Sequence, residues 1–386
     1  MLDFVYQAST KIFFGRGRIE FLSKEIKKYA QKVLLVYGGG SIKRIGVYDQ
    51  VAEQLSAADI AVHELDGVHP NPRIDSVRAG IELCREHQIA LVLAVGGGSV
   101  IDCAKAIAAG FYYPGDPWDF FRRTAKIQQA LPVAAVLTVA ATGSEMNGNM
   151  VISNPATQEK LGTGSSVLYP VFSILDPTYT FSLSAWQTAA GVADIMSHVH
   201  EQYFSANDGA FLQERLGESI LKTCIKYGPL ACNEPGNYEA RANLMWSASV
   251  ALNGLLSSGK LTDWATHGLE HEVSALHDVT HGVGLAILTP HWMRKVLTAG
   301  NEERFCAYAR NVWNLSGADS LILAEQGIQA LADFWRSLQL PGRLRDVGVQ
   351  EADIPVMAKK ATAWGSLGKF VHLTEADAAD IYRAAF

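Results

Sequence analysis

Between Thr10 and about Asp176, short apolar or β-branched runs alternate with amphipathic stretches, a pattern that predicts βαβ units and a mainly parallel sheet. The runs at 32–37, 60–65, 90–95 and 132–139 are nearly continuous in apolar residues, as strands buried on both faces require. Shorter strand candidates lie at 150–153 and 171–175. Helices are predicted over 47–56, from about 75 to 87, and from the glycines at 96–98 through 109. After Asp176-Pro177 the strand-like runs stop, and from about Ser184 to Phe386 nearly everything follows a 3.6-residue period with Gly and Pro punctuation. This pattern places a boundary near 178–184 and divides the chain into an α/β domain, 1–180, and an all-helical domain, 181–386.

Composition narrows the function classes. With 386 residues, 48% hydrophobic and 19% charged, the chain is long enough for two cores and has the balance of a soluble globular protein. Its net charge of −6 leaves no excess of cations for a phosphate backbone, which disfavours nucleic acid as a partner. The longest apolar runs are strand-sized, so no membrane span is expected, and no signal-peptide pattern opens the sequence. Five scattered cysteines without a Cys-x-x-Cys pair point to reduced thiols and a cytoplasmic protein.

Two glycine triples follow predicted strands. Gly96, Gly97 and Gly98, followed by Ser99, sit where backbone N–H groups and a helix start favour a pyrophosphate, with Asp102 and Lys105 on the next turns. Gly38, Gly39, Gly40 and Ser41 end an earlier strand that carries no acid to hold a ribose 2′-hydroxyl, and Lys43 and Arg44 follow. That combination favours NADP(H) over NAD(H). Neither the usual Rossmann glycine spacing nor a P-loop is present.

The helical half carries a metal-type constellation. Asp194 and His198 are i and i+4 on one helical face, with Glu201 at i+7 on the same stripe, and His267 and His271 repeat the spacing on a second helix. Six of the eleven histidines fall at 198, 200, 267, 271, 277 and 281, in segments otherwise rich in Ala, Gly, Leu and Val. Burying so many imidazoles without a shared partner is costly. A carboxylate and several imidazoles suit Fe²⁺ or Zn²⁺ with a coordination position left open. The loops and this constellation lie in different halves, so a cleft between the halves is the expected active site.

The stretches Gly96 to Lys105, Ala141-Thr142-Gly143-Ser144-Glu145, Gly191 to His198 and His281-Gly282 together resemble the iron-containing (group III) alcohol dehydrogenases. Ile12-Phe13-Phe14-Gly15, Tyr37 to Ser41 and Asp263 to His267 look closest to the butanol dehydrogenase-like branch, which includes NADPH-dependent aldehyde reductases. The resemblance implies a Rossmann-like dinucleotide-binding domain followed by an all-helical domain, the dehydroquinate synthase-like superfold. It implies Asp194, His198, His267 and His281 as metal ligands. It places pyrophosphate on Gly97, Gly98 and Ser99 near Asp102. Thr138, Thr142, Ser144 and Asn147 would line the nicotinamide and its ribose, Lys160 would lie near the cofactor, and Gly38, Gly39, Ser41 and Asn71 would lie near the adenosine end. It also implies a homodimer. His277 and Thr280 depart from the aromatic residue and the proline of many relatives, so His277 reads as a pocket or proton-relay residue beside His271; His200 reads as structural.

These parts predict metal-dependent hydride transfer between NADP(H) and short to medium primary alcohols or aldehydes. A glycerol dehydrogenase or a dehydroquinate synthase-like lyase of the same superfold is the alternative, and a metal-dependent hydrolase, which would leave the glycine loops without a role, is the distant one. Trp118, Phe120, Phe121, Tyr169, Trp246 and Trp264 are the candidates for an apolar pocket wall.

Overall fold

The continuous apolar runs become interior strands. In the computed structural model, which describes Met1 to Phe386, β1 (Lys11–Phe14), β2 (Lys32–Gly38), β3 (Ala61–Val68), β4 (Leu91–Gly96), β5 (Val133–Leu137) and β8 (Phe172–Leu175) form one sheet in the order β1-β8-β5-β4-β2-β3. Every pairing in it is parallel. A separate antiparallel hairpin joins β6 (Asn149–Asn154) to β7 (Glu159–Gly164). Strand β7 has no apolar run and was not expected; Glu159, Lys160, Gly162 and Gly164 give it no strand signature, and pairing with β6 creates it.

The two-residue strand period sends alternate side chains into two cores. Val33, Leu35, Tyr37, Leu91, Leu93 and Val95 pack on one face of the sheet with Leu22, Ile26, Val51 and Leu55. Leu34, Val36, Val92 and Ala94 pack on the other with Ile74, Val77, Ile101 and Ile107, from helices Ile74–His87 and Gly98–Gly110. Both glycine triples stand at strand ends, after β2 and after β4.

From Ser184 on, every regular element is a helix, and the one β contact is a bridge between Leu367 and Leu373. Helix Ala185–Tyr203 starts at a capping box in which Ser184 and Gln187 satisfy each other's ends. No helix is long and apolar enough to cross a membrane.

The chain divides into two compact units. One comprises Gln7–Leu183 and Pro235–Asn253; the other comprises Met1–Tyr6, Ser184–Glu234 and Gly254–Phe386. Helix Tyr238–Ala251 thus belongs with the α/β residues, where Met245 enters the apolar core. Its small residues permit a close approach: a Cβ on Gly143 would stand 2.7 Å from the carbonyl oxygen of Ala248. Helical periodicity alone gives no sign of which core such a helix joins.

Candidate functional site

Helix Ala185–Tyr203 presents Asp194 and His198, helix Ala265–His277 presents His267 and His271, and helix His281–Val296 begins with His281. These residues converge within the helical unit. Donor atoms of Asp194, His267 and His281 lie within 4.8 Å of one another. Asp194 Oδ1 is 3.6 Å from His198 Nε2 and 3.9 Å from His281 Nε2. The His198 and His267 rings stand 4.9 Å apart, and those of His267 and His281 5.2 Å. The close approach depends on Gly282, where a Cβ would meet the backbone of Ala190 at 2.0 Å.

Several polar atoms of these residues are buried without a hydrogen-bond partner: Asp194 Oδ1, His198 Nδ1 and His267 Nε2. A carboxylate oxygen so placed is unfavourable unless a cation completes it. Burial, reinforced by His267 and His281 and opposed by Asp194, holds the His198 pKa down at about 3, so this imidazole is neutral as a ligand must be. The residues fit a divalent cation bound by one carboxylate and three imidazoles.

Two buried glutamates stand behind the imidazoles. Glu201 accepts the backbone N–H of His267 at 2.9 Å, lies 3.0 Å from its Nδ1, and also accepts from the Thr266 hydroxyl. Glu270 contacts His281 Nδ1 and accepts from the Ser274 hydroxyl. Each carboxylate favours the tautomer protonated on Nδ1, leaving Nε2 as donor. Glu201, which the sequence places on the Asp194–His198 stripe, therefore acts through His267. Glu270 carried no sequence signal beyond adjacency to His271. Asp263 fixes the turn into this helix, accepting from the backbone of Ala265, Lys369 and Phe370; burial pushes its pKa up to about 6.

His271 stands beside the cluster, 5.7 Å from the His281 ring and 6.4 Å from that of His267. His277 stands apart, with Nε2 3.0 Å from Asp353 Oδ2. His200 is buried against the Tyr308 hydroxyl at 3.1 Å, as a structural histidine. Among the aromatic candidates, Trp264 reaches the site, edge-on to His267 at 5.2 Å. Trp118, Phe120 and Phe121 are core residues of the α/β unit rather than a pocket wall, because their rings face its apolar interior.

In the α/β unit, each glycine of the second triple has its own steric reason. A Cβ on Gly96 would meet Val100 at 2.6 Å, on Gly97 Val139 at 3.0 Å, and on Gly98 Thr142 at 2.3 Å. The chain therefore passes close to the start of helix Gly98–Gly110, whose Gly97 cap is extended. At the first triple, Gly39 and Gly40 face open space. The strand β2 itself ends without an acid, and the carboxylate beside it is that of Glu64 from β3. Lys43 Nζ rests 4.9 Å and 4.6 Å from the Tyr37 and Tyr48 ring centres, while both hydroxyls donate to Glu64 at 2.6 Å and 2.5 Å.

The residues expected near the nicotinamide form a tightly bonded loop. Ser144 donates to Asp102 Oδ1 at 2.6 Å, and Val151 N–H to Asp102 Oδ2 at 2.9 Å. Asn147 donates to Gly143 O at 2.9 Å, and Thr138 N–H to Gly96 O at 3.0 Å. Asp102 is thus a brace for the loop. Lys105, fully buried, donates to Ser144 O, Ser144 Oγ and Asn149 O at 2.6, 2.8 and 2.9 Å, and to Asn147 Oδ1 at 3.3 Å. Burial lowers its pKa to about 8 against the pull of Asp102 and Glu145. Asn71 adopts a left-handed φ of 54° in the turn after β3, and Lys160 is buried in β7.

Residues 9–177 match the family model of iron-containing alcohol dehydrogenases, and residues 188–386 match the C-terminal model of the same family. The chain is 50% identical to NADH-dependent butanol dehydrogenase A of Clostridium acetobutylicum, over the full length of both. It is 41% identical to the NADPH-dependent aldehyde reductase of Escherichia coli, again over both full lengths. The crystal structure of NADH-dependent butanol dehydrogenase A from Thermotoga maritima superimposes with a TM-score of 0.96 at 41% identity, covering 100% of this chain and 99% of that one.

Proposed function

The chain belongs to the iron-containing alcohol dehydrogenase family, and from that membership we propose a butanol dehydrogenase-like enzyme that interconverts short to medium primary alcohols and aldehydes with NADP(H) favoured. It is an NAD(P)-dependent alcohol dehydrogenase or aldehyde reductase. The observation that carries the reading is the convergence of Asp194, His198, His267 and His281, in which Asp194 Oδ1 and nitrogens of His198 and His267 are buried without a hydrogen-bond partner.

Asp194, His198, His267 and His281 hold Fe²⁺ or Zn²⁺, and Glu201 and Glu270 keep the imidazoles of His267 and His281 in their ligating tautomers. When bound, the ion supplies Lewis acidity toward the substrate oxygen, and the nicotinamide supplies or accepts the hydride. The N–H groups at the start of helix Gly98–Gly110 hold the pyrophosphate, assisted by Ser99. The loop carrying Thr138, Thr142, Ser144 and Asn147, with Lys160, borders the nicotinamide ribose. Gly38, Gly39, Gly40, Ser41 and Asn71 surround the adenosine ribose. There the lack of an acid at the end of β2 itself and the ammonium of Lys43 support room for a 2′-phosphate, with the Glu64 carboxylate engaged by the Tyr37 and Tyr48 hydroxyls. Relatives named for NADH and for NADPH are both similar to this chain, so the preference rests on these side chains. An imidazole nitrogen of His271, beside His281, takes or gives the hydroxyl proton, with His277, whose Nε2 is 3.0 Å from Asp353 Oδ2, as the second candidate for that relay.

Initial rates of NADPH and NADH oxidation with butanal, before and after chelation and metal add-back, test the proposal. Metal-dependent turnover favouring NADPH is expected. Preference for NADH would overturn the cofactor assignment alone, and no turnover with any short aldehyde would overturn the substrate class. We also propose a homodimer, with twice the 41.9 kDa chain mass in light scattering.

A further inference from the structure

The helical unit contains a second chemically distinct place, on the later turns of helix His281–Val296. A cavity of about 380 Å³ is lined there by His291, Arg294, Trp335, Arg336, Arg343 and Asp346, with aliphatic side chains between them. Its size falls in the range of small-molecule sites. None of the residues assigned to metal, nicotinamide or proton relay lines it.

The polar groups are arranged for an anion. Arg294 is engaged by Glu325 at 2.6 Å and Gln329 at 3.0 Å, which anchors its guanidinium. Arg336 is paired at 2.6 Å with the exposed Asp333 through one of its nitrogens. Arg343 has no ion pair. The lining holds three arginines, of which Arg336 and Arg343 are exposed, and one carboxylate, Asp346. Trp335 is only 3% exposed, yet its Nε1–H has no acceptor. His291 reports the local field: burial, then Arg294 and Arg343, hold its pKa down at about 4, with no carboxylate opposing them.

We propose that this cavity binds a small organic oxyanion, its phosphate or carboxylate held by Arg343 and Arg336 and its apolar body laid against Trp335. Guanidiniums offer paired donors that match either oxyanion, and the Trp335 indole with the aliphatic walls takes a flat or apolar body. Inorganic phosphate meets the first requirement and fails the second. The site is built on the helix that begins at His281, but the inference is independent of the metal and cofactor assignments.

The test uses the full chain with NADP⁺ present in excess, so that the glycine loops are occupied. Phenyl phosphate, benzoate and inorganic phosphate are titrated by calorimetry while the imidazole resonances of isotopically labelled protein are followed. Expected is saturable binding of phenyl phosphate or benzoate with Kd on the order of 1 mM or tighter, and at least ~10-fold weaker binding of inorganic phosphate. Preference between the two aromatic probes identifies phosphate or carboxylate as the natural group. On saturation the His291 pKa rises, because an anion cancels the field of Arg343. Arg343→Gln weakens binding ~10-fold or more and leaves NADPH-linked turnover unchanged; Arg343→Lys loses less. Absence of binding, equal affinity in Arg343→Gln and Arg336→Gln, or a His291 signal that does not respond would overturn the proposal.

Discussion

Replacing Lys105 by methionine keeps most of the apolar stem and removes an ammonium that donates to four oxygens inside the α/β unit. Ser144 Oγ keeps its bond to Asp102, and Asn147 Oδ1 keeps the N–H of Asn149. The carbonyls of Ser144 and Asn149 lose a buried donor, at ~1–3 kcal/mol each. Asp102 and Glu145 lose the cation that compensates them, so the total falls near the ~3–5 kcal/mol typical of breaking a buried ion pair from one side. The pH dependence gives a separate signature. Lys105 titrates at about 8 in the folded chain, below its ordinary 10.5. Between those values the unfolded chain binds more protons, so wild-type stability gains on the order of 2–3 kcal/mol from Lys105 as pH rises from 8 to 10.5. Below pH 8 that contribution is absent. Urea unfolding of wild type and Lys105→Met, followed by circular dichroism from pH 7 to 10.5, measures both effects. The variant should be less stable by ~3–5 kcal/mol at pH 7, with the gap widening above pH 8. A variant within 1 kcal/mol of wild type at pH 7 (about a fivefold change in the unfolding equilibrium) would refute the account of Lys105 as the loop's hydrogen-bonding anchor, and a gap that narrows above pH 8 would refute the lowering of its pKa by burial.

Three further outcomes test the sites. Glu270→Gln keeps the volume but weakens the carboxylate behind His281, and should lower metal affinity ~10–100-fold in a chelator competition while the fold persists; unchanged affinity would detach Glu270 from the site. Gly39→Asp, where a Cβ meets open space and φ is not left-handed, should shift kcat/KM toward NADH by ~10-fold or more, corresponding to ~1.4 kcal/mol. Gly40 is the poorer position for that change because its φ of 90° would strain any side chain. Gly282→Ala drives a methyl against the Ala190 carbonyl and should destabilise the helical unit by ~1–3 kcal/mol with loss of bound metal, read by thermal unfolding and metal analysis.

Strand positions were legible because runs such as Leu91 to Val95 are apolar on both faces, and that pattern has few other solutions. The histidine positions were legible for a related reason: imidazoles spaced a turn apart on apolar helices need a shared partner. What escaped the sequence lies where tertiary contact decides. Strand β7 exists through its partner β6. Glu270 and Asp263 look like ordinary surface acids in a helical pattern and become buried supports only when helices pack. The glycines at 96–98 suggested phosphate alone, whereas Val100, Val139 and Thr142 already require them to lack a Cβ. Lys105 carried no assignment beyond its place on the helix after the glycines; burial of its ammonium among four oxygens ties it to the loop.

The path of the chain between its two units bears on how the protein is made. It passes from one unit to the other four times, after Tyr6, Leu183, Glu234 and Asn253. A ribosome that has released residues up to Leu183 has delivered every strand of the sheet but not helix Tyr238–Ala251, whose Ser249 hydroxyl bonds the buried carboxylate of Glu145. The nascent α/β unit thus lacks the Ser249 partner of Glu145 until about 70 further residues, those that separate Leu183 from Asn253, have emerged. A gene cut at the obvious strand-to-helix change would yield two pieces each missing a part held by the other, and co-expression of the halves, rather than either alone, is the arrangement in which both could complete.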